Sequence, residues 1–515
     1  MVVTQSNQEM AVQMQGICKR FGAVAANVDV TLAVRAGTVH GIVGENGAGK
    51  STLMSILYGF YQADQGSIAV MGSPVHIANA DDAIAAGIGM VHQHFMLVDT
   101  LTGVENVMLG AEPHWRLQKA LPDVRRRLTQ LMQDTGLHID LDKKVGDLPV
   151  GDQQRLEILK ALFRGARILI LDEPTAVLTP QETEHLFVVL RKLKQEGCTI
   201  LLITHKLKEV MRLCDHVTVM RAGCVVEEVP IAQASLESLA QSMVGRRVHL
   251  GRVEEAARPR GAAVLCAQGV SYADRFGVER LRNIDIRLAA GEIVGVAGVS
   301  GNGQSELLDV LCGMLSPRAG RMELGGRSFT VNQWLDPRSA RQLGLAHVPE
   351  DRHARALVMG FEAWESAVLG YEDLPLYSAY GVMQHGAMRQ AATQMMEKFD
   401  VRPRDVDLVS SKFSGGNQQK FVLARELGQS PRVLLVGQPT RGVDIGAIEF
   451  IYSQLRAMRD AGCAVLVVSS ELDEILALSD RVVVMNQGCI AGELRIEECT
   501  EARLGMLMTA GGTGA

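Results

Sequence analysis

The chain has 515 residues, 47% of them hydrophobic and 21% charged, with a net charge of −6, so it is too long for one ordinary core and has the composition of a globular protein with at least two domains. The acidic balance and an aromatic content of only 4% exclude a general affinity for nucleic acid or acidic lipid and a base-stacking surface. No apolar run reaches the roughly 18 residues of a membrane span, and Met1 to Met10 lacks the basic and apolar regions of a signal peptide, so a cytoplasmic protein is expected. Its cysteines are scattered without a Cys-x-x-Cys pair and read as reduced, small core residues.

In chain order, Val39-His40-Gly41-Ile42-Val43 reads as a strand. It feeds Gly44-Glu45-Asn46-Gly47-Ala48-Gly49-Lys50-Ser51-Thr52, after which a helix begins near Lys50. Phosphates need many backbone N–H donors at close range, and only glycine lets the main chain curl that tightly. The eight-position pattern of a phosphate-binding loop is fully met: Lys50 would bridge the terminal phosphates and Ser51 would ligate Mg²⁺. A helical insert is expected over roughly Phe95 to Lys144, then Leu148-Pro149-Val150-Gly151-Asp152-Gln153-Gln154. Ile168-Leu169-Ile170-Leu171 and Thr199-Ile200-Leu201-Leu202-Ile203 are fully apolar, as buried parallel strands are. Asp172 ends the first of these, where a carboxylate is expensive without a partner, and Mg²⁺ is the natural one. Glu173 follows, placed to polarise an attacking water; the alternative is a capping Asp-Glu pair before Pro174.

The same set is then written again. Asp172-Glu173-Pro174-Thr175 aligns with Gly437-Gln438-Pro439-Thr440, and Cys198 with Cys463, both at an offset of 265 residues. The second loop is Gly298-Val299-Ser300-Gly301-Asn302-Gly303-Gln304-Ser305, with glutamine where the lysine belongs. Val433-Leu434-Leu435-Val436 and Ala464-Val465-Leu466-Val467-Val468 repeat the buried strands, and a second helical insert is expected over Asp351 to Ser411. The expected fold is α/β: two tandem domains, 10–247 and 262–510, each with a mostly parallel sheet and a helical subdomain, joined by a charged linker with Pro and Gly at 248–261. The Gly-rich tail from Ala510 to Ala515 reads as disordered.

With Lys50, Gln93, Asp172-Glu173, His205 and the region Leu148 to Arg155 in place, the chain resembles the ATPase subunits of ABC transporters over nearly its whole length, twice. The resemblance implies ATP and Mg²⁺, a Gln93 that contacts the metal and senses a permease, a His205 on the γ-phosphate, and a Phe21 stacked on adenine. Taken alone, Phe21 reads equally well as a core residue. His92 and His94 beside Gln93 invite a metal reading, but no third ligand is in view. Copy two has Gln304, Gly437, Gln438 and Ser470 at the positions of Lys50, Asp172, Glu173 and His205, and Glu350 at that of Gln93. Yet it keeps a good signature, Phe413-Ser414-Gly415-Gly416-Asn417-Gln418-Gln419-Lys420, in which Ser414 caps a helix and points its hydroxyl and the Gly415 and Gly416 N–H groups at phosphate. Copy one shows the reverse: Pro149 replaces the serine, Asp152 adds a negative charge, and Thr179 stands where copy two has Asp444.

The lesions sort cleanly if the halves pair head to tail, as the family implies. One composite pocket then holds Lys50, Asp172, Glu173, His205, Ser414, Gly416 and Asp444, and every defect falls in the other. This implies one hydrolytic site and one that at most holds nucleotide. A two-copy ATPase with a degenerate second half resembles the motors of monosaccharide and nucleoside importers. Gly89 to Val98, Pro349 to Arg355 and Gln438 to Glu449 lean toward the nucleoside branch, with a ribose-type importer as the alternative. The implied partners are membrane permeases and, indirectly, a substrate-binding protein, with the chain peripheral on the cytoplasmic face of the inner membrane. A tandem ATPase acting on ribosomes or DNA fits less well, because such proteins keep both sites intact.

Overall fold

A computed structural model describes residues 10–22, 24–92, 95–110, 117–175, 178, 180–247, 251–252, 261–299 and 301–509. Gln93, His94, Thr179, Ser300, most of the 248–261 segment and the 510–515 tail therefore lie outside the described residues. The chain divides into two compact units, 1–248 and 249–515.

In the first unit the apolar runs become the centre of a six-stranded sheet. Its order is Cys224–Pro230, His216–Arg221, Val39–Val43, Thr199–Ile203, Ile168–Asp172, Ile88–Val91. All neighbours pair in parallel except the first two strands. Strands covered on both faces have no use for alternation, and every residue of Val39–Val43, Ile168–Asp172 and Thr199–Ile203 is buried. Beside this sheet stands an antiparallel one, ordered Val24–Arg35, Met10–Phe21, Gln65–Val70, Ser73–Val75. Here the pattern does alternate: Val30, Leu32 and Val34 are buried and the residues between them are more exposed.

The helix Lys50–Leu57 buries Leu53, Met54, Ile56 and Leu57 in a cluster shared with Ile42, Ile170 and Ile203 of one sheet and Val12, Met14 and Val30 of the other. Burying four such side chains contributes roughly 1.5–3 kcal/mol each before entropy is counted. That packing fixes the helix N-terminus, and with it the loop that precedes it.

The second unit repeats the plan. Its six-stranded sheet runs Leu345–Val348, Val433–Gly437, Ala464–Val468, Ile293–Ala297, Arg481–Asn486, Cys489–Arg495, with an antiparallel partner built from Ala263–Ala273, Glu279–Ala289, Ala319–Leu324 and Arg327–Thr330. The helix Gln304–Leu311 buries Leu307, Leu308, Val310 and Leu311 in the equivalent cluster. The helical parts are Gly103–Met108, Leu117–Thr135 and Val150–Phe163 in the first unit, and Ala363–Val368, His385–Lys398 and Gly415–Gly428 in the second. Cys198 and Cys463 sit at equivalent strand entries, and burial pushes each thiol up to about 12, as in an inert core residue. Among the described residues no helix is long and apolar enough to cross a membrane.

Candidate functional site

Three neighbouring parallel strands of the first unit end on the same side. Val43 leads into the glycine-rich loop, Asp172 into Glu173, and Ile203 into Thr204 and His205. The carboxyl ends of parallel strands are where open α/β sheets bind ligands. The loop is held tightly there. A Cβ at Gly44 would stand 2.3 Å from the Met220 carbonyl oxygen, and one at Gly49, where φ is +95°, 2.3 Å from that of Ala26. No side chain caps the helix that Gly49 introduces, so its first N–H groups face the loop. Lys50 is buried, and its ammonium donates to the carbonyls of Gly44 at 2.7 Å and Glu45 at 2.9 Å. The charge thus lies inside the curl of the loop.

Asp172 is 8% exposed and accepts a hydrogen bond from the Ser51 hydroxyl. Burial, with the charge of Glu173, pushes its carboxyl up against the pull of Ser51 and Lys50. Glu173 turns out of the strand with φ of +47°, an unusual conformation for a residue with a side chain, and its N–H donates to the Ile203 carbonyl at 2.9 Å. Its Oε1 lies 2.8 Å from His205 Nδ1. Burial raises the Glu173 carboxyl, but the His205 hydrogen bond and charge, aided by Lys50 and Lys206, outweigh it and hold the group below the usual glutamate range. The result is an ionised carboxylate beside an imidazole at the mouth of a phosphate cradle.

These donors fit Mg²⁺. A hydroxyl and a carboxylate are hard oxygen ligands, and the desolvated Asp172 gains most from a cation. Among the described residues no group of three or more His, Cys, Asp or Glu could hold a metal alone. That suits Mg²⁺, which takes one or two protein ligands and completes its shell with phosphate and water.

The second unit keeps the backbone and loses the charges. Gly301 and Gly303 have φ of +89° and +99°, against +83° and +95° for Gly47 and Gly49. The Gln304 amide donates to the Val299 carbonyl at 3.2 Å, folding into the loop as Lys50 does, without its charge. Gln438 has the same φ of +47° as Glu173 and a matching tether to the Val468 carbonyl at 2.7 Å. Its Oε1 accepts from Ser470 N at 3.2 Å and Ser470 Oγ at 3.1 Å, where Glu173 meets His205.

The signatures differ as their sequences do. Ser414 Oγ accepts from the Asn417 N–H at 3.4 Å and from Asn417 Nδ2 at 2.9 Å, capping the helix Gly415–Gly428. Pro149 opens the helix Val150–Phe163 with no side-chain cap, and Asp152 pairs with Arg155 at 2.8 Å. Asp444 caps the helix Ile445–Asp460 through the Ala447 N–H at 2.8 Å.

The structure thus brings Gly44 to Ser51, Asp172, Glu173 and His205 together, and separately Ser414, Gly415, Gly416 and Asp444. Phe21 is exposed, with its ring 5.0 Å edge-on from Tyr61, so it is not a core residue. His92 packs against Phe60 and Tyr58. Two features escaped the sequence reading. Arg352 donates to the Arg441 carbonyl at 2.9 Å, and His353 pairs with Gln418 of the signature helix at 2.8 Å. Glu350, counted only as a departure from Gln93, accepts from Ser305 at 2.7 Å. A glutamate at one strand end and a glycine where the neighbouring strand should end in aspartate were the available signal.

A loop that cradles phosphate at the head of a parallel sheet, with a carboxylate pair beside it and the whole set written twice, defines a tandem P-loop nucleotidase. The ABC transporter family profile matches residues 28–176 and 281–441. The chain belongs to the ABC transporter family, as an ATP-binding component whose ATPase is coupled to transport. It is 46% identical over 510 residues to the guanosine import ATP-binding protein NupO of Bacillus subtilis (strain 168), covering 98% of both chains. It is 42% identical to the nucleoside import ATP-binding protein NupA of Lactococcus lactis subsp. cremoris (strain MG1363), covering 98% of this chain and 99% of the other. It is also 42% identical to the glucose import ATP-binding protein TsgD13 of Haloferax volcanii, covering 98% and 96%. Among solved structures, the complex of archaeal ribosomal stalk protein aP1 with the ribosome recycling factor aABCE1 matches 96% of this chain and 92% of that one, with a TM-score of 0.64 and 18% identity, a likeness of fold alone.

Proposed function

We propose that the chain is the ATP-hydrolysing motor of a nucleoside importer, with one hydrolytic site made from the first half's loop and carboxylates and the second half's signature. The observation that carries this is the sorting of the defects. The first half holds Lys50, Asp172, Glu173 and His205 as one cluster and has a proline in its signature. The second holds a capped signature and neutral residues in its cluster. Losses that accumulated independently would not divide so cleanly between two pockets formed head to tail. Residues 10–247 and 262–510 are the two ATPase domains in this reading, with 248–261 as linker.

In the hydrolytic site Lys50 and the loop N–H groups bind the phosphates, Phe21 stacks on adenine, and Ser414, Gly415, Gly416 and Asp444 close over the terminal phosphate. Glu173 accepts the proton of the attacking water as its oxygen bonds to the γ-phosphorus and the bond to the β-phosphate oxygen breaks. His205 contacts the γ-phosphate and holds Glu173 in place. Mg²⁺, held by Ser51, Asp172 and Gln93, would neutralise charge on the phosphates. The chain would sit on the cytoplasmic face of the inner membrane, its helical parts docked on permease subunits that receive substrate from a binding protein.

The two nucleoside-import relatives support the substrate, and the run His92-Gln93-His94-Phe95 leans the same way. The glucose-import relative keeps a sugar as the second reading. Uptake of labelled guanosine, uridine and ribose by cells carrying the chain with its permease and binding protein separates them. Guanosine or uridine uptake that Glu173→Gln abolishes is the expected result. Uptake of ribose alone would move the chain to sugar import, and full uptake by Glu173→Gln would overturn the assignment of the motor.

A further inference from the structure

The second half lacks the aspartate that ends the metal-binding strand of the first, and Gly437 stands in its place. The space above Gly437 is nevertheless filled. A Cβ there would lie 2.4 Å from Glu350 Cγ, 3.0 Å from Leu308 Cδ1 and 3.1 Å from the Glu350 backbone nitrogen. Glu350 follows the strand Leu345–Val348, the direct neighbour of Val433–Gly437 in the sheet, so its side chain crosses from one strand end to the next. Its Oε2 accepts the Ser305 hydroxyl at 2.7 Å. In the first half the equivalent hydroxyl, Ser51, is bonded to Asp172. The same serine–carboxylate pair therefore exists at both loops, with the carboxylate supplied from a different strand in each.

We infer that Glu350 is the metal-ligating carboxylate of the second half, and that with Ser305 it binds a divalent cation together with nucleotide phosphates. The glycine at 437 and the glutamate at 350 are one change: neither an aspartate nor any larger side chain fits at 437 while Glu350 lies across it. The neighbouring positive charge is engaged elsewhere, since Arg355 pairs with Asp309. The loop keeps its curl, with Gly301 and Gly303 in the left-handed region and an uncharged Gln304 donor inside it. Without a lysine the phosphates depend more on the cation for neutralisation, so nucleotide binding here is more strictly metal-dependent than in the first half. With Gln438 in place of a base, the nucleotide is held and not cleaved. The inference rests on the proposed nucleotide site of the first half for its pattern, and its test reads the two halves separately.

Mn²⁺ serves as the spectroscopic stand-in for Mg²⁺. Full-length protein is titrated with Mn²⁺ at a saturating concentration of the non-hydrolysable ATP analogue AMP-PNP, and free Mn²⁺ is counted by electron paramagnetic resonance. Two equivalents per chain are expected for the unaltered protein. Glu350→Gln keeps an oxygen to accept from Ser305 and removes only the charge, so a structural role survives it; at least tenfold weaker binding of one equivalent is expected. Glu350→Ala, which removes the Cγ that blocks position 437, combined with Gly437→Asp returns the carboxylate to the first-half arrangement and restores two. Ser305→Ala, at an exposed position, gives a second reading if Glu350→Gln fails to melt cooperatively. Mn²⁺ binding left unchanged in number and affinity by both Glu350→Gln and Ser305→Ala, whether the unaltered protein holds one equivalent or two, would overturn the inference. Asp172→Asn reports on the first half alone: if it still binds two, the proposed first-half site is wrong, while the Glu350 result stands by itself.

Discussion

At Glu173 burial and hydrogen bonding act in opposite directions, and the outcome decides its chemistry. His205 and the nearby lysines keep it ionised in spite of desolvation, so the acid limb of the ATPase pH profile should lie below the ordinary glutamate range. Glu173→Gln is expected to lower turnover by about 10²- to 10⁴-fold with nucleotide affinity changed only a few-fold, measured by steady-state hydrolysis and fluorescent-nucleotide titration. The second half already contains this substitution as Gln438. A different balance holds at Glu474, whose carboxyl is pushed up to about 7 by burial and the charge of Glu471, against hydrogen bonds from Ser469 and Thr440. An acid whose folded value exceeds its unfolded one binds its proton more tightly when folded. Its contribution is therefore fully present below the ordinary glutamate value and is lost as pH rises to about 7. Glu474→Gln should remove that loss, on the order of 3 kcal/mol. In thermal unfolding the mutant's advantage over the parent should be larger at pH 8 than at pH 5, and an advantage independent of pH would contradict the assignment.

Among the elements, the phosphate loop is the least tolerant. Gly44→Ala places a methyl 2.3 Å from a backbone carbonyl that the sheet fixes, so nucleotide binding should be lost and the melting temperature lowered. Gly47 has φ of +83° with open space around it. Gly47→Asn should therefore cost only about 1 kcal/mol and bind nucleotide more nearly as the parent does; equal damage at both positions in the same binding assay would show that sterics is not the cause. At the signature, Ser414→Ala should lose about 1 kcal/mol of helix capping as well as activity. The central strands were legible because a strand covered on both faces is apolar through its length, as in 168–171 and Ala464–Val468. The loops were legible because phosphate chemistry allows few spacings. The antiparallel layer was not, since Met10–Phe21 and Val24–Arg35 carry register shifts that blur their alternation. Nor was the reach of Glu350 to Ser305, because it joins residues 45 positions apart through the sheet order, which periodicity does not contain.

For the whole molecule, the proposed division of labour makes repair of one half insufficient. In a Glu173→Gln background, Gln304→Lys, Gln438→Glu and Ser470→His return three of the four first-half side chains to the second cluster, beside Glu350, but they would still face Pro149 and Asp152. Turnover should remain near background until Pro149→Ser and Asp152→Asn are added, and hydrolysis without those additions would refute the head-to-tail pairing. The left-handed corner supports a different use. Glu173 and Gln438 share a φ of +47° and the same tether across the sheet, so the chain contains one backbone turn in two versions that differ by a charge and its partner. The second is a blank for the first, made in the same cell and folded in the same tube. Isotope-edited infrared spectra with a labelled carboxylate at 173 and a labelled amide at 438 could be subtracted within one sample, leaving the response of the charged corner to nucleotide free of differences in concentration, buffer or folding yield.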